Sequence, residues 1–142
     1  MSPTGASPIF LLDTSAAVAM VVGDHHHHES TFQALHAREL GLSGHAAFET
    51  FSVLTRIPAP SRMAPAGVQR LLASNFPHSR FLSPARAAQL LQSLAEHDIA
   101  GGTVYDALVG AAALEHELTL VTRDRRALAT YRELGVAVEL LD

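Results

Sequence analysis

Residues 9–15 read Ile-Phe-Leu-Leu-Asp-Thr-Ser, an apolar run followed by an acid and two hydroxyl residues. A short continuous run of large apolar residues predicts a strand that is buried on both faces. Thr14 and Ser15 are residue types that cap helices, so we predict a helix from there to about Val22. The stretch therefore predicts a strand, a short turn that carries Asp13, and a helix.

The rest of the chain continues this alternation of strands and helices. Further strands are predicted at 41–43, 80–82, 118–122 and 136–140, and further helices at 29–40, 45–56, 67–73, 84–97, 104–114 and 124–134. Strands that alternate with helices imply a mainly parallel sheet that is covered on both faces. We therefore predict an α/β fold with three layers, α/β/α, around a central five-stranded sheet. The length suits a single domain over residues 1–142, with residues 1–7 as a flexible tail.

Composition restricts the classes of function. All ten cationic residues are arginine, which excludes P-loop and Schiff-base chemistry because both need lysine. The chain has no cysteine, so disulfides and thiolate metal sites are excluded. Its net charge of −4 gives no general attraction to nucleic acid, which local arginines and bound metal would have to supply. With no apolar run near the roughly 20 residues of a membrane span and no basic signal segment, we expect a cytoplasmic protein without membrane contact.

Four acids occur in apolar sequence, where solvated carboxylates are not expected: Asp13, Glu49, Asp106 and Asp124. Ionised carboxylates in apolar surroundings are costly unless something pairs with them, and the chain has no lysine to do so. Asp13 and Asp124 both come just after predicted strands, and ligands of open parallel sheets bind beyond the carboxyl ends of strands. Carboxylates that converge need a cation, and such clusters are used to hydrolyse phosphodiesters.

Each acid also has a purely structural interpretation. Asp13 and Asp124 could be helix N-caps. Asp106 lies three residues after Thr103 and could belong to a capping box. Glu49 could be a solvated helix position. These alternatives explain the acids one at a time, whereas the joint pattern is harder to explain as four independent caps.

Basic residues near the acids have two interpretations as well. Arg123, Arg125 and Arg126 flank Asp124, where they would contact phosphate groups of a substrate or would be solvated arginines at a helix start. We favour a substrate role for at least one of them, because an acid-lined cleft must still attract a polyanion. The histidine run at 25–28 is interpreted as a solvated loop between two helices, since four consecutive histidines cannot all point one way.

Four short motifs follow one another along the chain. They are Leu-Leu-Asp-Thr-Ser-Ala at 11–16, Ala-Ala-Phe-Glu-Thr at 46–50, Tyr-Asp-Ala-Leu-Val at 105–109 and Leu-Val-Thr-Arg-Asp-Arg at 120–125. Together they resemble the PIN domain and, more narrowly, the VapC-type ribonuclease toxins of prokaryotic toxin–antitoxin pairs. The resemblance extends from about residue 8 to the end of the chain. It implies a PIN-like fold, an RNA substrate, a cognate VapB-like antitoxin and a homodimer.

The resemblance also implies metal-assisted hydrolysis of RNA, with Mg²⁺ as the cofactor and Mn²⁺ as a substitute. It puts Asp13 and Asp106 at the main metal position, and Asp124 and Glu49 would complete the site directly or through water. Many members of the family carry a further acid shortly after the fourth one. Residues 126–127 are Arg and Ala here, so the motifs support one metal position and leave a second open.

Three hydroxyl residues near the acids have alternative roles, and the chain as a whole has alternative functions. Thr14, Ser15 and Thr122 could orient the acids by hydrogen bonds, although helix capping is the stronger expectation for Thr14 and Ser15. A degenerate PIN-like module could bind RNA or protein without cleaving it. A phosphatase with an aspartyl nucleophile would have a second Asp two residues after Asp13, where Ser15 stands, and a receiver domain would need a lysine.

Overall fold

A computed structural model describes residues 7–142, and it contains a four-stranded parallel sheet with the strand order β2-β1-β3-β4. The strands are β1 (Ile9–Leu12), β2 (Glu39–Leu42), β3 (Thr119–Thr122) and β4 (Val138–Leu140). The helices are α1 (Thr14–Val21), α2 (His28–Leu35), α3 (Ala46–Arg56), α4 (Pro65–Asn75), α5 (Pro84–Ser93), α6 (Thr103–Glu115) and α7 (Leu128–Glu133), with a 3₁₀ turn at Arg125–Ala127. The prediction of an α/β fold with a parallel sheet is confirmed. Residues 1–6 of the predicted tail lie outside the described residues.

Helices cover both faces of the sheet because adjacent strand residues point to opposite sides. Leu12 is fully buried in a cluster with Ala17 of α1 and Leu35 of α2. Leu11, its neighbour in β1, is buried in a second cluster with Val109 of α6. The run of large apolar residues in β1 thus builds two cores at once, as a strand in the middle of a parallel sheet requires.

The prediction of a fifth strand at 80–82 is wrong. Arg80 forms one isolated β-bridge with Ser43, and this bridge does not extend into a strand. The side-chain hydroxyl of Ser79 accepts the N–H of Leu42 at 2.9 Å. A hydroxyl therefore takes the place that a backbone carbonyl would have in a regular strand. The sequence pattern at 80–82 could not indicate that a side-chain hydroxyl would accept this hydrogen bond in place of a backbone carbonyl.

Gly41 of β2 lets this segment approach the sheet closely. A Cβ placed on Gly41 would lie 2.6 Å from the amide nitrogen of Ser79 and closer still to the carbonyl group of His78. The strand itself begins two residues earlier than predicted, and α2 ends at Leu35 rather than at residue 40. The reason is that Leu40, which fits a helical pattern, is buried in the sheet core.

Other element bounds differ at their ends. α4 is longer than the predicted 67–73, and β4 begins at residue 138 rather than 136. α5 ends at Ser93 instead of residue 97, in a turn in which Asp98 adopts a φ of 53°. The predicted helix 124–134 is divided into the 3₁₀ turn and α7. Within residues 7–142, no helix is both long and apolar enough to cross a membrane.

Candidate active site

Asp13, Glu49, Asp106 and Asp124 line one cavity of about 180 Å³ at the carboxyl edge of the sheet. Asp13 directly follows β1, and Asp124 comes two residues after the neighbouring strand β3. Glu49 lies in the first turn of α3 and Asp106 in the first turn of α6. Four elements that are distant in sequence therefore each contribute one carboxylate to a shared space, which we call the acid cleft.

Asp13 is almost fully buried, with 4% of its surface exposed. Its Oδ1 accepts hydrogen bonds from the Ser15 hydroxyl at 2.6 Å and from the Ala16 N–H at 3.1 Å, and its Oδ2 accepts one from the Tyr131 hydroxyl at 2.8 Å. Burial raises the pKa of Asp13, and these hydrogen bonds oppose the rise. The N-cap of α1 is Asp13 rather than Thr14 or Ser15, which corrects that expectation. Asp13 therefore both caps α1 and lines the acid cleft.

Tyr131 is a residue of the cleft that sequence reasoning missed. It belongs to α7, is 1% exposed and lines the cavity. Gly110 of α6 makes room for its ring, since a Cβ there would lie 3.1 Å from a ring carbon. Burial and the neighbouring charge of Asp13 raise the pKa of Tyr131, so its hydroxyl remains a hydrogen-bond donor. The bond to Asp13 spans 118 residues, and no local pattern signals it.

Two hydroxyl groups connect the loops after β1 and β3. The Thr122 hydroxyl accepts the N–H of Asp124 at 3.0 Å, and the Ser15 hydroxyl accepts the N–H of Arg123 at 2.9 Å. The two hydroxyl oxygens are 3.4 Å apart. Asp124 caps the 3₁₀ turn through the N–H of Arg126 and also pairs with the Arg126 guanidinium at 3.3 Å. The loops are therefore fixed to each other by side chains that also fix the acids.

Within residues 7–142, no side chain or N–H group supports the carboxylate of Asp106 in this way. It is not part of a capping box, because the Thr103 hydroxyl donates to a backbone carbonyl and α6 has no side-chain cap. Burial, followed by repulsion from Asp124, Asp13 and Glu49, raises the pKa of Asp106 to about 6. When three neighbouring acids raise the pKa of a fourth, their mutual repulsion indicates a site that favours a cation.

Glu49 forms the open side of the acid cleft. Its side chain is 40% exposed, and its carboxylate lies 3.7 Å from His45 one turn earlier in α3. The His45 ring stacks on Tyr105 with the centroids 5.2 Å apart. Glu49 is therefore partly solvated, as its structural interpretation proposed, and also faces the other three acids.

The residues of the cleft fit a hard divalent cation. All four acids offer carboxylate oxygens, the ligands that Mg²⁺ and Mn²⁺ prefer. Arg126 is the cationic side chain in the lining, and it is already paired with Asp124. In the described part of the chain, no three acids or histidines lie close enough together to hold a metal ion as they stand. The four carboxylates face a shared space without contacting one another.

The sequence and fold place the chain among known proteins. The PIN domain profile matches residues 10–133. The chain belongs to the PIN domain family. It is 44% identical over 131 residues to Ribonuclease VapC27 of Mycobacterium tuberculosis, covering 92% of this chain and 96% of that protein. It is 46% identical over 131 residues to Ribonuclease VapC40 of the same species, covering 91% and 96%.

A solved structure supports the fold of this PIN domain. The crystal structure of VapBC2 from Rickettsia felis bound to a DNA fragment from their promoter is similar with a TM-score of 0.67, over 94% of this chain and 99% of that chain. Its sequence identity of 16% limits that comparison to the fold. The resemblance to PIN domains and VapC-type ribonucleases that the four motifs indicated is confirmed.

Removing one charge from the acid cleft is expected to stabilise the metal-free PIN domain. Because the pKa of Asp106 is raised from 3.8 to about 6, the folded state loses stability as the pH rises from about 4 through about 6. Asp106→Asn should remove this loss and raise the melting temperature in EDTA by a few degrees at about pH 7.5, with only about half of that gain at about pH 5. Thermal unfolding of both proteins at the two pH values measures it. Equal melting temperatures of the two proteins at about pH 7.5 would contradict the repulsion.

Proposed function

We propose that this PIN domain is a metal-dependent endoribonuclease and the toxin of a VapBC-like toxin–antitoxin pair. The observation that carries the proposal is the acid cleft, to which Asp13, Glu49, Asp106 and Asp124 each contribute from a separate element. The relatives named as VapC ribonucleases, at 44% and 46% identity over more than nine-tenths of this chain, support the same activity.

In this proposal Asp13 and Asp106 hold Mg²⁺, for which Mn²⁺ can substitute, and Asp124 and Glu49 complete the site. When bound, the ion supplies activation of water and stabilises the negative charge that grows on the phosphate. The chain itself fixes where the carboxylates stand. Asp13 is held through both of its oxygens, so that its orientation is set before any ligand arrives.

Substrate binding is assigned to the arginines beside the cleft. Arg123, Arg125 and Arg126 would contact phosphate groups, which guanidinium groups can bind through two parallel hydrogen bonds. Arg126 pairs with Asp124 and Arg125 with Asp142, both at exposed positions where ion pairs contribute little and exchange readily. RNA phosphates can therefore compete for these arginines at little cost.

Purified chain, free of any partner protein, tests the activity directly. It should cleave single-stranded RNA internally in Mg²⁺ or Mn²⁺ and should lose this activity in EDTA. Gel analysis of end-labelled RNA distinguishes internal from terminal cleavage. RNA that is bound but left intact in both metals would instead favour a module that binds without catalysis.

The proposal includes a VapB-like antitoxin, a homodimer and a cytoplasmic location. Phe48 and Phe81 give a surface suited to a protein partner, since their rings are 66% and 52% exposed and their centroids lie 6.2 Å apart. Exposed aromatic side chains that stand together are typical of interfaces. Light scattering after size-exclusion chromatography, with Phe48→Ser as a variant, tests whether this surface forms the dimer.

Tyr131→Phe is expected to weaken metal binding without changing the packing of the core. The ring remains against Gly110, but Oδ2 of Asp13 loses its donor. Loss of such a supporting hydrogen bond typically costs about 10- to 100-fold in metal affinity or activity. Isothermal titration with Mg²⁺ measures the affinity, and RNA cleavage measures the rate. An unchanged dissociation constant for Mg²⁺ would show that the hydroxyl does not position Asp13.

Tyr105→Phe is the matched control, because the chain has two tyrosines and Tyr105 is 53% exposed. Its ring stacks on His45, and this contact needs no hydroxyl. We expect the control to retain the wild-type affinity for Mg²⁺. A similar loss in both variants would assign the effect to general disturbance rather than to the bond with Asp13.

A further inference from the structure

A second cavity of about 770 Å³ lies beside the acid cleft and is about four times as large. Thr14, Ser15, Asp124 and Arg126 line both spaces, so one continues into the other around the carboxylate of Asp124. Binding pockets for small molecules and cofactors typically measure about 300–1,000 Å³. A polymer held in the acid cleft would therefore have its next unit beside or within this second cavity.

The histidine run is a largely exposed turn, as the sequence suggested, and it also forms one wall of the second cavity. His25, His26 and His27 all line it, and the next histidine begins α2. The rings of His25 and His26 are stacked, with centroids 5.0 Å apart and planes inclined by 6°. Within the turn, the N–H of His27 donates to Nδ1 of His25 at 3.0 Å. The turn thus places three imidazole rings, held against one another, along the cavity.

His25 on this wall is held toward its neutral form. Burial and the neighbouring His26, His27 and Arg123 lower the pKa of His25. The imidazole of His25 is therefore neutral at neutral pH. A neutral ring offers a stacking face rather than a charge for a phosphate group.

Arginines form a further part of the lining. Arg123, Arg125 and Arg126 line the cavity. The Arg123 guanidinium donates to the Thr31 hydroxyl at 3.2 Å, while its Nε–H is buried and, within residues 7–142, has no hydrogen-bond partner. A buried donor without a partner is costly unless a ligand or solvent satisfies it. The cavity lining therefore combines imidazole rings with three arginines, of which Arg126 and Arg125 pair with the lining acids Asp124 and Asp142.

We propose that the second cavity is a nucleotide subsite for single-stranded RNA, in which the arginines bind a phosphate and the histidine turn stacks on the base of a nucleotide that flanks the scissile bond. This subsite rests on the proposed ribonuclease function. Base stacking on aromatic side chains tolerates any base sequence. Continuity with the acid cleft and the three arginines favour a polyanion over an antitoxin segment as the occupant.

RNA binding by variants of the histidine turn tests the subsite. A fluorescein-labelled single-stranded RNA of about eight nucleotides is titrated with full-length protein in an Asp106→Asn background, which prevents cleavage, and anisotropy gives the dissociation constant. His26→Ala should weaken binding about 10-fold, whereas His26→Phe, which keeps a flat ring, should bind within about 2-fold of the parent. Both changes are at an exposed position, so the fold should tolerate them.

Matched controls carry the same changes outside the cavity. His36→Ala, just after α2, and Arg132→Ala on α7 should leave the affinity unchanged. Arg125→Ala, inside the cavity, should weaken it several-fold and reduce its dependence on salt. Equal affinity of His26→Ala and the parent would overturn the subsite. Equal weakening by His26→Ala and His26→Phe would overturn stacking as its basis. Normal RNA affinity combined with weaker binding of the antitoxin would assign the cavity to the protein partner instead.

Cleavage assays separate the failure of the subsite from the failure of the proposed function. In the otherwise wild-type chain, His26→Ala should raise KM about 10-fold and leave kcat nearly unchanged, because the ring contacts a flanking unit and not the reacting phosphate. If the wild-type chain binds RNA without cleaving it, and His26→Ala still weakens binding, the ribonuclease function fails and the nucleotide site stands. If RNA is cleaved and neither KM nor affinity responds, the subsite alone fails.

Discussion

Asp106→Asn is expected to abolish metal-dependent RNA cleavage, with a fall in kcat of more than about 100-fold. Loss of a group that merely supports a metal ligand costs about 10- to 100-fold, and Asp106 is proposed to be a ligand itself. The substitution keeps the shape of the side chain and removes its charge, so the cleft retains its form while losing affinity for the cation. Initial rates of RNA cleavage at saturating Mg²⁺ measure the effect.

Glu96→Gln is a suitable control for this experiment, since Glu96 is an exposed acid that does not line the acid cleft. It should cleave RNA at the wild-type rate. In a bacterial host, expression of the wild-type chain should slow growth, whereas Asp13→Ala should not. Full metal-dependent activity of Asp106→Asn would show that the proposed site is wrong, and equal toxicity of wild type and Asp13→Ala would indicate an action other than cleavage.

Gly41→Ala is expected to destabilise the fold by roughly 3 kcal/mol or more, which is a large effect for one methyl group. The new Cβ would meet backbone atoms of His78 and Ser79, which cannot rotate away as a side chain can. Segment 78–80 would have to move off β2 and give up its hydrogen bonds to the strand. A fall in melting temperature of about 10 °C should be seen by calorimetry.

Gly23→Ala provides the comparison, because no atom lies within 4 Å of a Cβ at Gly23. This variant should unfold within a degree or two of the wild type. If the two alanine variants had the same melting temperature, the close approach at Gly41 would not carry the expected cost. The affinity for Mg²⁺ is a second measurement. Because Gly41 lies outside the acid cleft, the folded fraction of Gly41→Ala should bind Mg²⁺ as the wild type does.

The convergence of Asp13 and Asp124 could be predicted from sequence because it follows from topology. β1 and β3 are adjacent and parallel, so the residues after them, Asp13 and Asp124, reach the same edge. The short apolar runs that end in these acids were sufficient to place them. Their role as metal ligands stays a proposal.

The parts that sequence could not give depend on contacts between distant segments. The hydroxyl of Tyr131 meets Asp13 only because Gly110 opens a space between α6 and the ring. The histidine run has the composition of a solvated loop, and its place in a cavity wall follows from how α1 and α2 pack beside the loop that carries Arg123. The missing fifth strand follows from one hydroxyl, that of Ser79.

The bond between Asp13 and Tyr131 has a consequence for the order of events on the ribosome. Asp13 follows β1, whereas its partner Tyr131 belongs to α7, and Asp124 follows β3, the strand that precedes α7. A growing chain therefore carries the carboxylate of Asp13 for more than one hundred residues before the tyrosine that orients it has been added. The acid cleft cannot be complete until α7 has left the ribosome, so the message and the ribosome that make this domain are spared while its earlier elements are being synthesised.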